Sequence, residues 1–396
     1  MISFFVAIVV LIAGYFLYGR LTEKVFCIDD RKTPAEEIHD GVDFVPMKRW
    51  KNFLIQLLNI AGTGPIFGAL MGAVYGPVVF LWIVAGSILG GAVHDYMSGM
   101  ISERNKGASI AELSGHYLGK PFLWIMRIFS VILLILCGTV FITSPAALLE
   151  DIVPFDIDGS VWCIIILVYY FVATIVPIDK VIGKLYPIFG VLLIVMALAV
   201  IGGIFFSGNY TVPEFTFENM NPVGRPVWPF MFITVACGAI SGFHATQSPM
   251  ISKCITSEKD GRPVFYGAMI SEAVIALIWA CAGVSFYETT ELLNNALQGG
   301  ASSVVYTISK EALGGFGAVL AVVGVIICPI TSGDTAFRSA RLIISETFHL
   351  DQKKIRNRLI IAVPLLAVAG VLTVIAISDP NGFDTVWRYF SWSNQT

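Results

Sequence analysis

Ten apolar stretches, near residues 2–18, 52–74, 76–103, 122–148, 161–177, 185–206, 228–251, 263–287, 314–337 and 357–378, fill most of this 396-residue chain. Most approach the roughly 20 residues that an α-helix needs to cross a bilayer. Backbone immersed in lipid must satisfy its own hydrogen bonds, which restricts it to helices or closed barrels, and stretches this long suit helices. Charged residues are only 13% of the chain and hydrophobic ones 56%, a balance that no ordinary soluble domain carries. The chain is therefore predicted to be an all-α polytopic membrane protein. No basic run or zinc spacing points to nucleic acid. The seven cysteines lack a CxxC pair and are expected to be small packers without disulfides.

Charge placement tests the parse independently. The loops at 19–51, 103–121, 178–184, 252–263 and 338–358 hold 21 of the 25 Lys and Arg residues. The intervening loops at 149–160, 207–226, 288–313 and 379–384 hold only Arg225 and Lys310, with acidic residues such as Glu150, Asp156, Glu214, Glu218, Glu288 and Glu291. Alternation of this kind follows the positive-inside rule, so the basic loops are predicted to be cytoplasmic and the N-terminus external. The opening "MISFFVAIVVLIAGYFLYGR" has no basic residue ahead of its apolar core, as a retained span would. The final "FDTVWRYFSWSNQT" is too short to cross, and the sequence is expected to stop inside its last helix.

Three stretches are polar and glycine-rich where a span should be unbroken: "NIAGTGPIFG" (59–68), "GAISGFHATQSP" (238–249) and "CPITSGDTAFRSAR" (328–341). Glycine and proline disfavour helix, and unpaired backbone at membrane depth is tolerated where it lines a cavity or is buried in protein. One such break could be a packing kink. Position argues for more. Span 52–74 opens a set of five that ends at 206, and 228–251 opens the next set in the opposite direction. Matching broken helices in oppositely inserted halves mark inverted-repeat transporters, whose half-helix ends hold substrate and ions. The expected fold is a LeuT/APC-like 5+5 inverted repeat with one extra N-terminal helix and an incomplete final core helix. Its parts are 1–51, the extra helix and a basic loop; 52–206, the first repeat; 207–226, an external connection; and 227–396, the second repeat.

Four stretches, "DGVDFVPMKRW" (40–50), "IAGTGPIFGALMG" (60–72), "AGSILGGAVHDYMSGM" (85–100) and "GAISGFHATQSPMISK" (238–253), resemble the carbon-starvation (CstA-type) peptide transporter family. "TSGDTAFRSARLI" (331–343) and the terminal "WRYFSWSNQT" add to the likeness, which runs from about residue 40 to the end. The resemblance implies a bacterial inner-membrane secondary transporter that takes up peptides, or in related members pyruvate. Family members usually continue past the equivalent of "WSNQT", which fits a shortened chain.

The breaks supply the candidate substrate-binding residues: Gly62, Thr63, Gly64 and Pro65 in the first, and Ser241, Gly242, Phe243, His244, Thr246 and Gln247 in the second. Glycines let a substrate approach the backbone, hydroxyls and amides give it partners, and His244 could titrate or bind a carboxylate. His94, Asp95 and Glu272 are ionisable groups inside spans, where such groups are costly and usually functional. They are candidates for proton coupling, although His94 and Asp95, as neighbours on a helix, point about 100° apart. Thr331, Ser332 and Asp334 could hold a sodium ion against carbonyls of the first break, or Asp334 could bond Arg338 one turn on.

No cofactor or resident metal is expected, since the five histidines lack any tight ligand spacing. No phosphate-binding GxxxxGK[ST] loop is present, so a proton or sodium gradient, rather than ATP, is the expected driver. The competing class is an intramembrane enzyme using the His94/Asp95/His244 region on a metal or as acid and base. A channel would show a pore-lining repeat, and none is visible. The residues do not choose between peptide and pyruvate, between proton and sodium, or among oligomeric states.

Overall fold

A computed structural model describes residues 1–153, 157–176, 178, 182–379 and 382–396; Asp156 and Lys180, counted above among the loop charges, lie outside them. All regular elements among the described residues are helical. Ile2–Phe26, Val79–Arg104, Lys120–Glu150, Ile182–Phe206, Glu258–Phe286 and Ile355–Ser378 are long and apolar enough to span a membrane. Arg49–Ala61 and Gly64–Ala73 form a seventh candidate, bent by 55°. Gly159–Ile175 is a shorter apolar helix, Ala301–Thr347 is the longest, and Gly382–Gln395 ends the chain.

Burial orders these helices from centre to rim. The apolar window of Glu258–Phe286 is 78% buried and that of Ile2–Phe26 only 28%, so the former is the centre and the latter turns most of its side chains outward. The Val79–Arg104 helix packs on His244–Ser252 of the second broken span, and Gly267–Phe286 packs on both halves of the first.

Charge has sorted the loops to two ends. At one, Arg104 donates to Glu258 at 2.7 and 2.9 Å, Lys259 to Asp30 at 2.7 Å, and Arg338 and Arg341 lie 3.3 and 3.2 Å from Asp43. Those contacts gather the basic loops 19–51, 103–121, 252–263 and 338–358. At the other end the N-terminal ammonium sits 2.5 Å from Glu214, and Thr290 donates to the Met220 carbonyl at 2.6 Å.

Two of the three expected interruptions differ from the sequence reading. The second span unwinds earlier, between Thr234 and His244, through a short 3-10 turn at Ala236–Gly238. His244–Ser252, with Thr246 and Gln247, is a helix. The third interruption is no interruption, because residues 328–341 lie within Ala301–Thr347, whose sole non-helical backbone is at Gly314. The threonine hydroxyls there fold back onto their own helix: Thr331 donates to the Ile327 and Cys328 carbonyls, and Thr335 to that of Ser332. Gly333 serves packing, since a methyl group there would come within 2.1 Å of the Tyr170 hydroxyl.

A similar close approach fixes the second break. A methyl at Gly91 would fall 2.2 Å from the Ala239 carbonyl oxygen, which is backbone and cannot rotate aside. Gly91→Ala is therefore expected to destabilise the protein by about 1–3 kcal/mol through overpacking. Gly90→Ala meets only the Ile240 side chain at 3.1 Å and should lose less. Thermal unfolding of the two purified variants in detergent compares them directly; equal melting points would contradict the packing assigned here.

Candidate functional site

The first break is made by Gly62, whose φ of 41° and ψ of −139° lie where a side chain is strongly disfavoured. A proline follows at 65, and the chain resumes as a wide turn at Gly64–Gly68. The Thr63 hydroxyl and both polar side-chain atoms of Asn59 are buried there without a hydrogen-bond partner in the protein. Buried polar atoms of this kind are normally satisfied, so the first break holds unused donors and acceptors.

The second break lies against the first. A methyl at Gly238 would be 3.5 Å from Pro65 Cα, Gln56 donates to Ser248 at 3.1 Å, and the Phe243 ring meets Phe141 edge-on at 6.1 Å. The last helix supplies the partners of the unwound backbone. Asn394 Oδ1 accepts from the Phe243 amide at 2.7 Å and the Ser241 hydroxyl at 2.9 Å, while its carbonyl accepts from the Gly242 amide at 3.0 Å. Thr246 donates to the Phe243 carbonyl at 2.6 Å, and Gln247 leaves its Oε1 buried without a partner.

Four ionisable side chains from three helices meet at the start of His244–Ser252. His94 Nδ1 lies 2.9 Å from Asp95 Oδ1, so these neighbours are a pair despite their divergence on the helix. Asp95 Oδ2 is 3.0 Å from His244 Nδ1, and His244 Nε2 is 3.5 Å from Glu272 Oε2. Asp95, His244 and Glu272 are all essentially inaccessible. With Nδ1–H of His244 donating to Asp95, its Nε2 and Glu272 face each other across a gap too long for a strong hydrogen bond. Both histidines turn Nδ1 onto the same carboxylate. Among the described residues no group of three or more His, Cys, Asp or Glu side chains is placed to hold a metal.

The Thr331/Ser332/Asp334 group divides. Ser332 reaches the first broken helix, donating to the Leu58 carbonyl at 3.0 Å. Thr331 is spent on its own helix. Asp334 accepts from the Tyr186 hydroxyl at 2.5 Å, and its second oxygen is buried without a partner. Its expected alternative, Arg338, is engaged elsewhere, by Asp43 and by the Ala173 and Val176 carbonyls at 2.6 and 2.8 Å.

Asp43, Arg341, Tyr186 and Asn394 were missed by the sequence reading, and Arg338 was given Asp334 as its partner instead of Asp43. Arg338 and Arg341 are three apart on a helix and so share a face, a signal that was available. Asn394 offered none.

The two broken segments lie between two hollows. One of about 590 Å³ at the acidic end is lined by Phe67, Tyr75, Ser144, Arg225 and Trp387 among others; one of about 480 Å³ at the basic end is lined by Asp43, Lys253 and Glu346 among others. Gly62–Pro65 and Ser241–Gln247 line neither.

The sequence profile of the family described as "Carbon starvation protein CstA" matches residues 1–155 and 147–294. An uncharacterized membrane protein of Haemophilus influenzae is 42% identical over 355 residues, 76% of this chain and 95% of that one. The peptide transporter CstA of Bacillus subtilis is 29% identical over 68% of this chain and 55% of its own length. The pyruvate/proton symporter BtsT of Escherichia coli is 30% identical over 67% and 46%. The chain thus spans about half the length of the transporters it matches. Among solved structures, MhsT in complex with L-phenylalanine aligns with a TM-score of 0.62 at 16% identity over 88% of this chain and 86% of that one. A Na+-coupled sialic acid symporter aligns at 0.57 and 15%, over 98% and 83%. At such identities these likenesses show the fold alone, and it is the LeuT-type transporter fold.

Proposed function

The chain belongs to the carbon starvation protein CstA family, and from that premise we propose that it is a secondary active transporter driven by protons. Its cargo is a peptide or a small carboxylate such as pyruvate, the two classes named in its relatives. The two broken helices hold the cargo near mid-membrane, where its partners are the unpartnered Asn59 and Thr63 side chains and, once Asn394 gives them up, the Gly242 and Phe243 amides; rocking of one helix bundle against another exposes the site to each side in turn. Reciprocal packing supports the inverted repeat: the helix after each break lies on the broken helix of the other half. The repeat boundaries remain 52–206 and 227–396. The segregation of basic and acidic loops to opposite ends supports an N-terminus outside the inner membrane.

One observation carries proton coupling. Asp95, His244 and Glu272 form a buried line whose middle member, His244, stands at the second break, so a proton arriving on the line changes the charge beside the cargo. The residues weighed for sodium give less support: Thr331 and Ser332 both donate to carbonyls, at 2.9 and 3.0 Å, and Asp334 turns to Tyr186. An intramembrane enzyme has no comparable support, since the relatives with named activities are transporters.

The test is uptake of labelled dipeptide and labelled pyruvate by proteoliposomes, with a proton or a sodium gradient imposed separately. Accumulation is expected with the proton gradient and at background with sodium. Uptake that follows sodium alone, or equilibrates without regard to either gradient, overturns the proton reading.

A further inference from the structure

The hollow of about 590 Å³ at the acidic end falls in the range of small-molecule sites. Its lining is unlike its surroundings. That end of the protein carries Glu214, Glu218, Glu288, Glu291 and Glu311, yet no described acidic side chain lines the hollow, and Arg225 does. Lys310, the other basic residue in these loops, is placed over the Tyr306 ring instead.

Arg225 is held at the wall by its loop. The Met220 amide donates to the Tyr75 carbonyl at 3.2 Å, and the Asn219 side chain donates to the Arg225 carbonyl at 2.9 Å. Among the described residues no carboxylate forms a salt bridge with the Arg225 guanidinium. Deeper in the wall, Ser144 is 4% exposed and its hydroxyl has no partner in the protein. The helix that begins at Ala301 also starts in this wall, with no side chain capping it. A helix start presents unpaired amides and the positive end of a dipole, both favourable to an anion. A single guanidinium, an unused hydroxyl and a helix start around a cavity with no carboxylate among the described residues select for negative charge.

We propose that this hollow is a recruiting site for the carboxylate of the incoming solute, with Arg225 as its specificity-determining residue. The proposal rests on the transport reading for its ligand class. The guanidinium pairs with the carboxylate in two parallel hydrogen bonds, and Ser144 gives a further donor once the solute is inside. Solutes without a carboxylate gain nothing from this lining. The floor is aromatic. Phe67 and Trp387 lie 6.2 Å apart, and contacts through Phe390 and Phe141 continue to Phe243 at the second break, so the hollow is separated from the mid-membrane segment by rings that must part for passage.

Calorimetric titration of the purified full chain with pyruvate, a dipeptide and the same dipeptide amidated at its C-terminus tests this. The free carboxylates are expected to bind at least tenfold more tightly than the amide. Arg225→Gln should erase that difference, Arg225→Lys should restore part of it, and Ser144→Ala should weaken carboxylate binding about threefold. In proteoliposomes the Arg225→Gln defect should fall on KM rather than kcat. Arg225 is exposed, so misfolding does not confuse the comparison. Carboxylate preference unchanged in Arg225→Gln overturns the proposal. Arg225-dependent binding in a protein that transports nothing would leave this site standing and remove the transport reading instead.

Discussion

Proteoliposomes carrying Glu272→Gln are expected to lose proton-driven accumulation while retaining exchange of labelled for unlabelled solute across the membrane. Glutamine keeps the shape of Glu272 but cannot take up or release a proton, so His244 Nε2 keeps a neighbour and loses its proton exchange partner at 3.5 Å. On the proposed reading proton and cargo are two ligands of one protein, and coupling between such ligands is typically worth about 1–3 kcal/mol, or 5- to 150-fold. Accumulation should fall within that range. Exchange needs only the alternation of the loaded carrier and should survive. Asp95→Asn should be more damaging to both activities, because it removes the acceptor that orients His94 and His244 at 2.9 and 3.0 Å. Full proton-driven accumulation in Glu272→Gln would remove the carboxylate from the coupling path.

The second large effect is expected at the basic end. Asp43 is buried between Arg338 and Arg341, which are fully buried themselves. Burial alone would raise the Asp43 pKa, but Arg341 and Arg338 outweigh it and hold the group below the usual carboxylate value. Asp43→Ala leaves two buried guanidinium groups without their shared counter-ion. Removing one partner of a buried pair costs about 3–5 kcal/mol.

Cys254 reports whether the Asp43 loop is seated. Its Sγ lies 3.8 Å from the Asp43 carbonyl, its own carbonyl accepts from the Met47 amide at 3.0 Å, and burial pushes its thiol up to about 12. In a Cys27→Ser, Cys237→Ser background, which leaves only buried cysteines, maleimide labelling of Cys254 should be slow. Asp43→Ala should speed it and lower the melting point.

The pH dependence has a definite sign. A depressed folded-state pKa contributes stability that is present above the unfolded value, near 3.9, and is lost as pH falls through the folded value. Protection of Cys254 should therefore hold from neutral pH down past the ordinary carboxylate range and fail only in stronger acid. Loss of protection already near pH 6 would show that the Asp43 cluster is not what seats the loop.

The spans were legible because lipid leaves so little choice: apolar length and loop charge each mark the same helices. The first break was legible too, since Gly62 must adopt a positive φ and Pro65 follows at once. The second was misplaced by several residues. "TVACGAI" looks like apolar helix, and what satisfies the unwound chain beyond it is Asn394, about 150 positions away in sequence. "PITSGDT" shows the opposite error, for its threonines are absorbed by bonds to the preceding turn, its serine by the Leu58 carbonyl and its glycine by the Tyr170 contact. Asp95, His244 and Glu272 were each visible as ionisable groups in lipid. Their alignment, and the meeting of Asp43 with Arg338 and Arg341, depends on tertiary packing that no local pattern encodes.

Asn394 has a mechanical consequence. Because one residue occupies three donors of the segment 241–243, the final helix acts as a latch on that segment. Withdrawing it would free two amides and a hydroxyl together, each worth about 1 kcal/mol when paired, and an arriving carboxylate could take up those same donors. Unlatching and loading would then be a single exchange of partners, so the empty carrier has reason to keep the helix shut and the loaded one to let it swing.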